Sequence, residues 1–231
     1  MHMPDGFIDL PVSVAAGAVA VGGVALCVRG ARRTLDERLA PMAGLTAAFI
    51  FAVQMLNFPV AAGTSGHLLG GALAAVLIGP YAGALAVTTV LIIQALLFAD
   101  GGLSALGLNV INMAFVTTVV AWLVFRGLLR MLPRTRASVV TAGAVGALLS
   151  VPAAALAFTI EYAIGGTATF QVGEVLAAMV GVHVLIGIGE AAITAVTVSA
   201  VMAARPDLVY GARGMLPTLE MRKAQPTGGA A

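Results

Sequence analysis

Seven long apolar runs, at 11–29, 41–57, 64–79, 81–98, 105–130, 138–163 and 172–203, follow one another along the chain with short interruptions. About 20 apolar residues carry a helix across a hydrocarbon core of roughly 30 Å, so most of these runs have spanning length. The interruptions hold turn and breaker residues: Pro11, the stretch from Arg29 to Pro41, Asn57 to Pro59, Gly79-Pro80, Asp100-Gly101-Gly102, Pro133 to Arg136, and Gly165-Gly166. None of the runs alternates with period two, and all exceed the roughly 9–11 residues of a barrel strand. Lipid offers backbone groups no partner, so whatever crosses is expected to be helical. The pattern predicts an all-α polytopic membrane protein, a bundle of seven transmembrane helices.

Charge agrees with that expectation. Of the 231 residues 60% are apolar and 10% charged, where a soluble domain carries about 25% charge. This balance excludes a soluble enzyme fold, and a net charge of +2 excludes a chain that coats nucleic acid. One cysteine, Cys27, excludes disulfides within the chain and cysteine-built metal centres. Met1–Leu10 has no basic leader region, so the mature chain is expected to begin at Met1.

The 12 basic residues fall in three segments: Arg29, Arg32, Arg33 and Arg38; Arg126, Arg130, Arg134 and Arg136; Arg205, Arg213, Arg222 and Lys223. Threading seven spans with the N-terminus outside places all of them on the cytoplasmic side. The opposite face then carries Asp5, Asp9, Asp100, Glu161 and Glu174, a field that attracts cations. The expected organisation is a single transmembrane domain over 1–204 and a polar cytoplasmic tail over 205–231. The protein is expected to be multi-pass in the cell membrane, in contact with lipid and not with nucleic acid.

Three histidines exist, His2, His67 and His183. The third run has 16 residues from Thr64 to Gly79. At 1.5 Å per residue it covers about 24 Å, which leaves His67 recessed below the outer surface. Gly63, Gly66, Gly70 and Gly71 let another backbone approach there, and the N-terminal segment 1–10 is expected to insert into the recess. It would bring the Met1 amine, the His2 amide nitrogen and the His2 imidazole, which form two fused chelate rings. An imidazole from His67 closes the fourth corner of a planar nitrogen set, which suits Ni(II), Cu(II) or low-spin Co(II) better than Zn(II). The same residues also fit a plainer role, a chain terminus and a helix-start histidine bonded to a carbonyl.

Met1-His2-Met3-Pro4-Asp5-Gly6-Phe7, together with Gln54 through Gly71, resembles the CbiM/NikM family of substrate-capture components of energy-coupling factor importers for cobalt and nickel. Leu97 to Gly102 and His183 to Ala191 resemble it too, and the likeness runs from Met1 to about Ala204. The resemblance implies a seven-helix component of an ABC-type importer serving cobalamin biosynthesis. Its metal ligands would be the Met1 amine, the His2 amide and imidazole, and the His67 imidazole. Asp5, Asn57, Thr64 and Ser65 lie in the matching motifs and are candidates to orient those ligands, or simply to cap and turn the chain around Pro4 and Pro59. Met3 departs from the family, where isoleucine is usual. The implied partners are a transmembrane scaffold subunit, two ATPase subunits and a small accessory membrane subunit.

His183, Gly187 and Glu190 share one face of the last run, with Glu190 near the bilayer centre. Glu190 either bonds to Gln94, Asn109 or Asn112 or joins His183 in an intramembrane polar relay. The chain has no G-x-x-x-x-G-K-[ST] loop, so it is expected not to be an enzyme and to leave ATP hydrolysis to its partners. The leading expectation is capture of Co(II) or Ni(II) as transported substrate, cobalt slightly favoured, with no organic cofactor. The rival is a proton-coupled secondary divalent-cation transporter using His183 and Glu190.

Overall fold

A computed structural model describes residues 1–37, 39–56, 58–59 and 65–215, with the backbone alone at Phe58, Pro59 and Ser65. The fold is all-helical apart from one minimal β-pair. Helix α1 is Leu10–Thr34, α2 Leu39–Gln54, α3 Gly71–Ile78, α4 Pro80–Leu97, α5 Leu106–Met131, α6 Arg136–Gly165 and α7 Val172–Ala204. Strands β1 (Phe58–Pro59) and β2 (Ser65–Gly66) pair antiparallel between α2 and α3. Among the described residues, α1, α4, α5, α6 and α7 are long and apolar enough to cross a membrane, whereas α2 has 16 residues and α3 has 8.

Local chemistry accounts for several helix ends. Asp9 caps α1, its Oδ1 accepting from the Val12 amide at 2.9 Å, and Pro11 presets the first turn. Thr135 caps α6 in the same way through the Ser138 amide. Gln171 and Glu174 form a reciprocal capping box at the start of α7.

The third apolar run departs from its expected form. A span over 64–79 is predicted from the sequence, yet helix α3 begins only at Gly71. Gly70 precedes it with φ +81°, a left-handed conformation that interrupts a right-handed helix, and Gly79 ends it with φ +89°. His67 therefore sits in extended chain and not at a helix start. Every residue of α3 is buried, so this short helix is the axle around which the other helices pack.

Small residues set the packing distances. On α1, Ala16 and Ala20 face inward while Val14, Val19, Val21 and Leu26 face outward, so this stripe packs against the bundle. Helices α6 and α7 pack along their length, and at Gly187 a Cβ would lie 2.9 Å from the Leu148 carbonyl oxygen. Outward-facing Leu56, Leu97, Leu123, Ile164 and Val196 give the bundle the apolar exterior expected of a protein solvated by lipid.

Residues 205–215, expected to belong to a polar tail, pack against the bundle. Pro206–Leu208 and Tyr210–Ala212 form 3₁₀ turns, Val209 and Ala212 are buried, and Gly211 lies against Phe125. Tyr210 contacts Trp122, their ring centroids 5.7 Å apart. Val209 and its neighbours supply enough apolar surface to dock, which the polar composition of 205–231 as a whole conceals.

Candidate metal site

The N-terminal segment is threaded into the bundle. Met1, His2 and Met3 are all buried, and Phe7 packs against Phe158 and Tyr162 with ring centroids 5.7 Å and 5.3 Å away. Backbone groups of the segment are matched one by one. The Met3 amide donates to Asn109 Oδ1 at 2.8 Å, and the Met3 carbonyl accepts from Asn109 Nδ2 at 3.2 Å and from the Gly102 amide at 2.8 Å. Further along, the Thr167 amide donates to the Phe7 carbonyl at 3.1 Å, and the Asp9 amide donates to the Gly165 carbonyl at 2.7 Å.

Glycine makes the threading possible at one place above all. Gly101 has φ +93°, and a Cβ there would sit 2.9 Å from His2 Cδ2; a Cβ at Gly102 would strike the Asp5 backbone nitrogen. Asn109 comes from the first turn of α5, just before the π-helical stretch Val110–Val116. Such stretches widen a helix and recur at functional sites.

Two imidazoles meet at the buried end. His2 Nδ1 lies 3.0 Å from His67 Nε2, the ring centroids 4.6 Å apart. Neighbouring ring partners assign the tautomers. His67 Nδ1 donates to the Leu68 carbonyl at 2.8 Å, so its Nε2 carries a lone pair. In the tautomer in which His2 Nε2 donates to Gln94 Oε1 at 3.2 Å, its Nδ1 carries one as well. Asp100 Oδ1 adds a carboxylate oxygen 3.2 Å from the same His2 Nδ1. His67 Nε2 and Asp100 Oδ1 thus each lie within about 3.2 Å of His2 Nδ1, pairs that become attractive when a cation or a proton sits between them.

Protonation favours ligation over charge. Burial lowers the Met1 amine from 8.0 to about 4, opposed by Asp100, and burial likewise lowers His2 below its usual value. Both groups are therefore neutral donors near pH 7. Among the described residues no three His, Cys, Asp or Glu side chains converge as a metal cluster. The nitrogen set read from the sequence needs only two side chains, because the amine and the amide of the terminus complete it.

The residues expected to orient the ligands are distributed differently. Asp5 touches neither imidazole; its Oδ1 accepts from the Ser104 amide at 2.7 Å and hydroxyl at 2.6 Å, which ties the segment to the loop before α5. Asn57 and Thr64 lie outside the described residues, and Ser65 is described as backbone in β2. In their place stand Gln94, Asp100 and Asn109. Their signal in the sequence is a polar side chain within or beside an apolar run, next to the Asp100-Gly101-Gly102 turn.

The three bonding partners expected for Glu190 are all engaged elsewhere. Gln94 bonds His2, Asn109 bonds Met3, and Asn112 Nδ2 donates to Glu161 Oε2 at 2.5 Å. Glu190 instead accepts from the backbone amides of Leu69 and Gly70 at 2.7 and 3.0 Å. His183 Nδ1 donates to the Met179 carbonyl at 2.7 Å, and its Nε2 has no partner among the described residues. No hydrogen bond joins His183 to Glu190, so the expected relay is not formed as a direct pair.

The fold and the buried terminus define a helical membrane protein with its own N-terminal segment folded against a recessed histidine. Residues 2–208 match the family described as the cobalt uptake substrate-specific transmembrane region, CbiM, and the chain belongs to that family. It is 43% identical over 209 residues to a putative fused nickel transport protein NikMN of Archaeoglobus fulgidus, covering 90% of this chain and 68% of that one. It is 40% identical to a putative metal transport protein of Haloquadratum walsbyi, covering 91% of this chain and 94% of the relative. The cobalt transport protein CbiM of Geobacter sulfurreducens is 34% identical, covering 90% of this chain and 61% of its own. A crystal structure of a truncated transition-metal transporter superposes with a TM-score of 0.81 at 32% identity, covering 88% of this chain and 99% of the other. The protein is a membrane component of cobalt/nickel uptake, of the CbiM/NikM type.

Proposed function

We propose that this chain is the substrate-capture subunit of an energy-coupling factor importer and binds Co(II) or Ni(II) through four nitrogens. These are the Met1 amine, the His2 amide nitrogen, His2 Nδ1 and His67 Nε2. One observation carries the reading: two ring nitrogens with lone pairs face each other at 3.0 Å. Metal–nitrogen bonds of about 2.0 Å set adjacent corners of a square plane about 2.8 Å apart, close to that separation. His2 Nδ1 is also the ring nitrogen that closes a six-membered chelate with the residue's own amide.

The carrier crosses the cell membrane seven times with its N-terminus outside, α3 and the chain leading into it serving as one crossing. The grouping of all 12 basic residues in three segments supports this orientation. A purely binding role, with ATP hydrolysis supplied by two ATPase subunits, follows from the absence of a phosphate-binding loop. A transmembrane scaffold and a small accessory membrane subunit complete the importer, a division of labour in keeping with relatives named as fused nickel transport proteins. Cobalt is slightly favoured, in line with the family description.

Calorimetric titration of Co(II) and Ni(II) into detergent-purified protein tagged only at the C-terminus tests this reading. The native terminus binds one ion per chain, and a form with two residues added before Met1 loses that binding. Equal binding by both forms would remove the terminal amine and amide from the site.

A further inference from the structure

Beneath the two imidazoles, the chain that presents His67 is fastened from two sides. Glu190 of α7 receives the Leu69 amide on Oε2 at 2.7 Å and the Gly70 amide on Oε1 at 3.0 Å. Gln54, the last residue of α2, donates its Nε2 to the Leu69 carbonyl at 2.7 Å. Both polar groups of the Leu69 backbone are thus taken by side chains of helices that are distant in sequence. Leu69, Gln54 and Glu190 are 0%, 0% and 2% exposed, so these bonds are sheltered from competition by water. The Gly70 conformation allows this path, with φ +81° and Ile50 Cγ1 2.8 Å from where a Cβ would lie.

A carboxylate in an apolar interior is costly unless its oxygens are matched, and here two consecutive amides at the head of α3 match both. They belong to the N-cap Gly70 and the residue before it, and both are held by a side chain from outside the helix. A cavity of about 20 Å³ adjoins this seat, lined in part by Gln54, Glu190 and Thr194. Gln54 Oε1 and Thr194 Oγ1 are both buried with no partner among the described residues.

We propose that Glu190 is a positioning residue for the metal site: together with Gln54, it fixes the backbone that aims His67 Nε2 at His2. The proposal rests on the reading of His67 as a ligand. It adds a mechanical consequence, since the seat joins the metal-binding stretch to α7 and α2. A relative displacement of those helices reaches His67 through three hydrogen bonds, and the capture site is thereby coupled to the body of the carrier.

Glu190→Gln is the first test, because the amide keeps the shape but turns an NH₂ toward a backbone donor. Hydrogen exchange at Leu69 and Gly70 in the metal-free protein is expected to quicken about tenfold or more, with α1 and α6 unchanged. Ni(II) release into a chelator, followed in the visible band of the planar site, is expected to quicken by a similar factor while the band itself keeps its position. Gln54→Leu moves both readouts in the same direction through the Leu69 carbonyl. Unchanged exchange at 69–70 in both Glu190→Gln and Gln54→Leu overturns the proposal, as does a uniform acceleration throughout the bundle, which marks a purely structural role. If the native protein binds no metal, the reading of His67 fails, while the exchange arm still decides whether Glu190 seats this backbone.

Discussion

His2 Nδ1 and His67 Nε2 face each other at 3.0 Å although 65 positions separate them in the chain, and each ring's other nitrogen is committed to an oxygen acceptor. The Gln94 and Leu68 oxygens therefore decide which ring nitrogens are left to bind. An imidazole that rotated about either contact would lose it inside a dry interior, so the pair is aligned before any ion arrives.

His67→Ala removes one corner of the proposed nitrogen set. Affinity for Ni(II) is expected to fall by more than ~100-fold, beyond the 10–100-fold typical of outer-shell changes. Titration calorimetry on the purified variant reads this directly, and a change of less than threefold would falsify ligation by His67.

Asn109→Ala removes both side-chain bonds to the Met3 backbone and leaves a buried amide without its acceptor. Each such orphaned group costs about 1–3 kcal/mol, and the expected result is ~10–100-fold weaker metal binding. Asn109 is buried, so the same orphaned amide should also lower the melting temperature of the metal-free bundle by several degrees, which a thermal melt in detergent checks.

Acid is expected to loosen the terminal segment through Asp5. The bond from the Ser104 hydroxyl, then that from its amide, holds the Asp5 carboxyl below its ordinary value of 3.8. A folded-state value below the unfolded one stabilises docking above the unfolded value, and the benefit is lost as pH falls through the folded value. Exchange at residues 3–8, corrected for intrinsic rates, should stay flat from pH 7 to about 5 and rise below the usual aspartate range. Asp5→Ala should remove that acid-dependent component.

Gly187→Leu places a branched side chain where a Cβ already meets the Leu148 carbonyl oxygen at 2.9 Å. Overpacking of this kind costs about 1–3 kcal/mol, so the melting temperature should drop by several degrees. Gly181→Leu on the same helix is the control, since a Cβ there meets nothing within 4 Å. Equal melting temperatures for the two variants would mean that α6 and α7 do not pack so closely.

Much of this protein is determined by the sequence alone, because the relevant signals are local or additive. Runs of apolar residues bounded by Pro11, Pro80 and Pro133 predict helices whatever else the chain does, since lipid leaves backbone groups no alternative. Three histidines in so apolar a chain make His2 and His67 conspicuous as candidate nitrogen donors. Tertiary structure decided the rest. The third run breaks at Gly70, whose left-handed φ of +81° interrupts the helical path, and a carboxylate 120 positions away takes its amide, a contact that no window of sequence contains. Asp5, expected either to orient the ligands or to cap and turn the chain around Pro4, binds Ser104, while Gln94, Asp100 and Asn109 hold the terminus through contacts spanning about a hundred residues. Spacing along the chain tells which donors exist; only packing tells which buried lone pairs are matched and which are left facing one another.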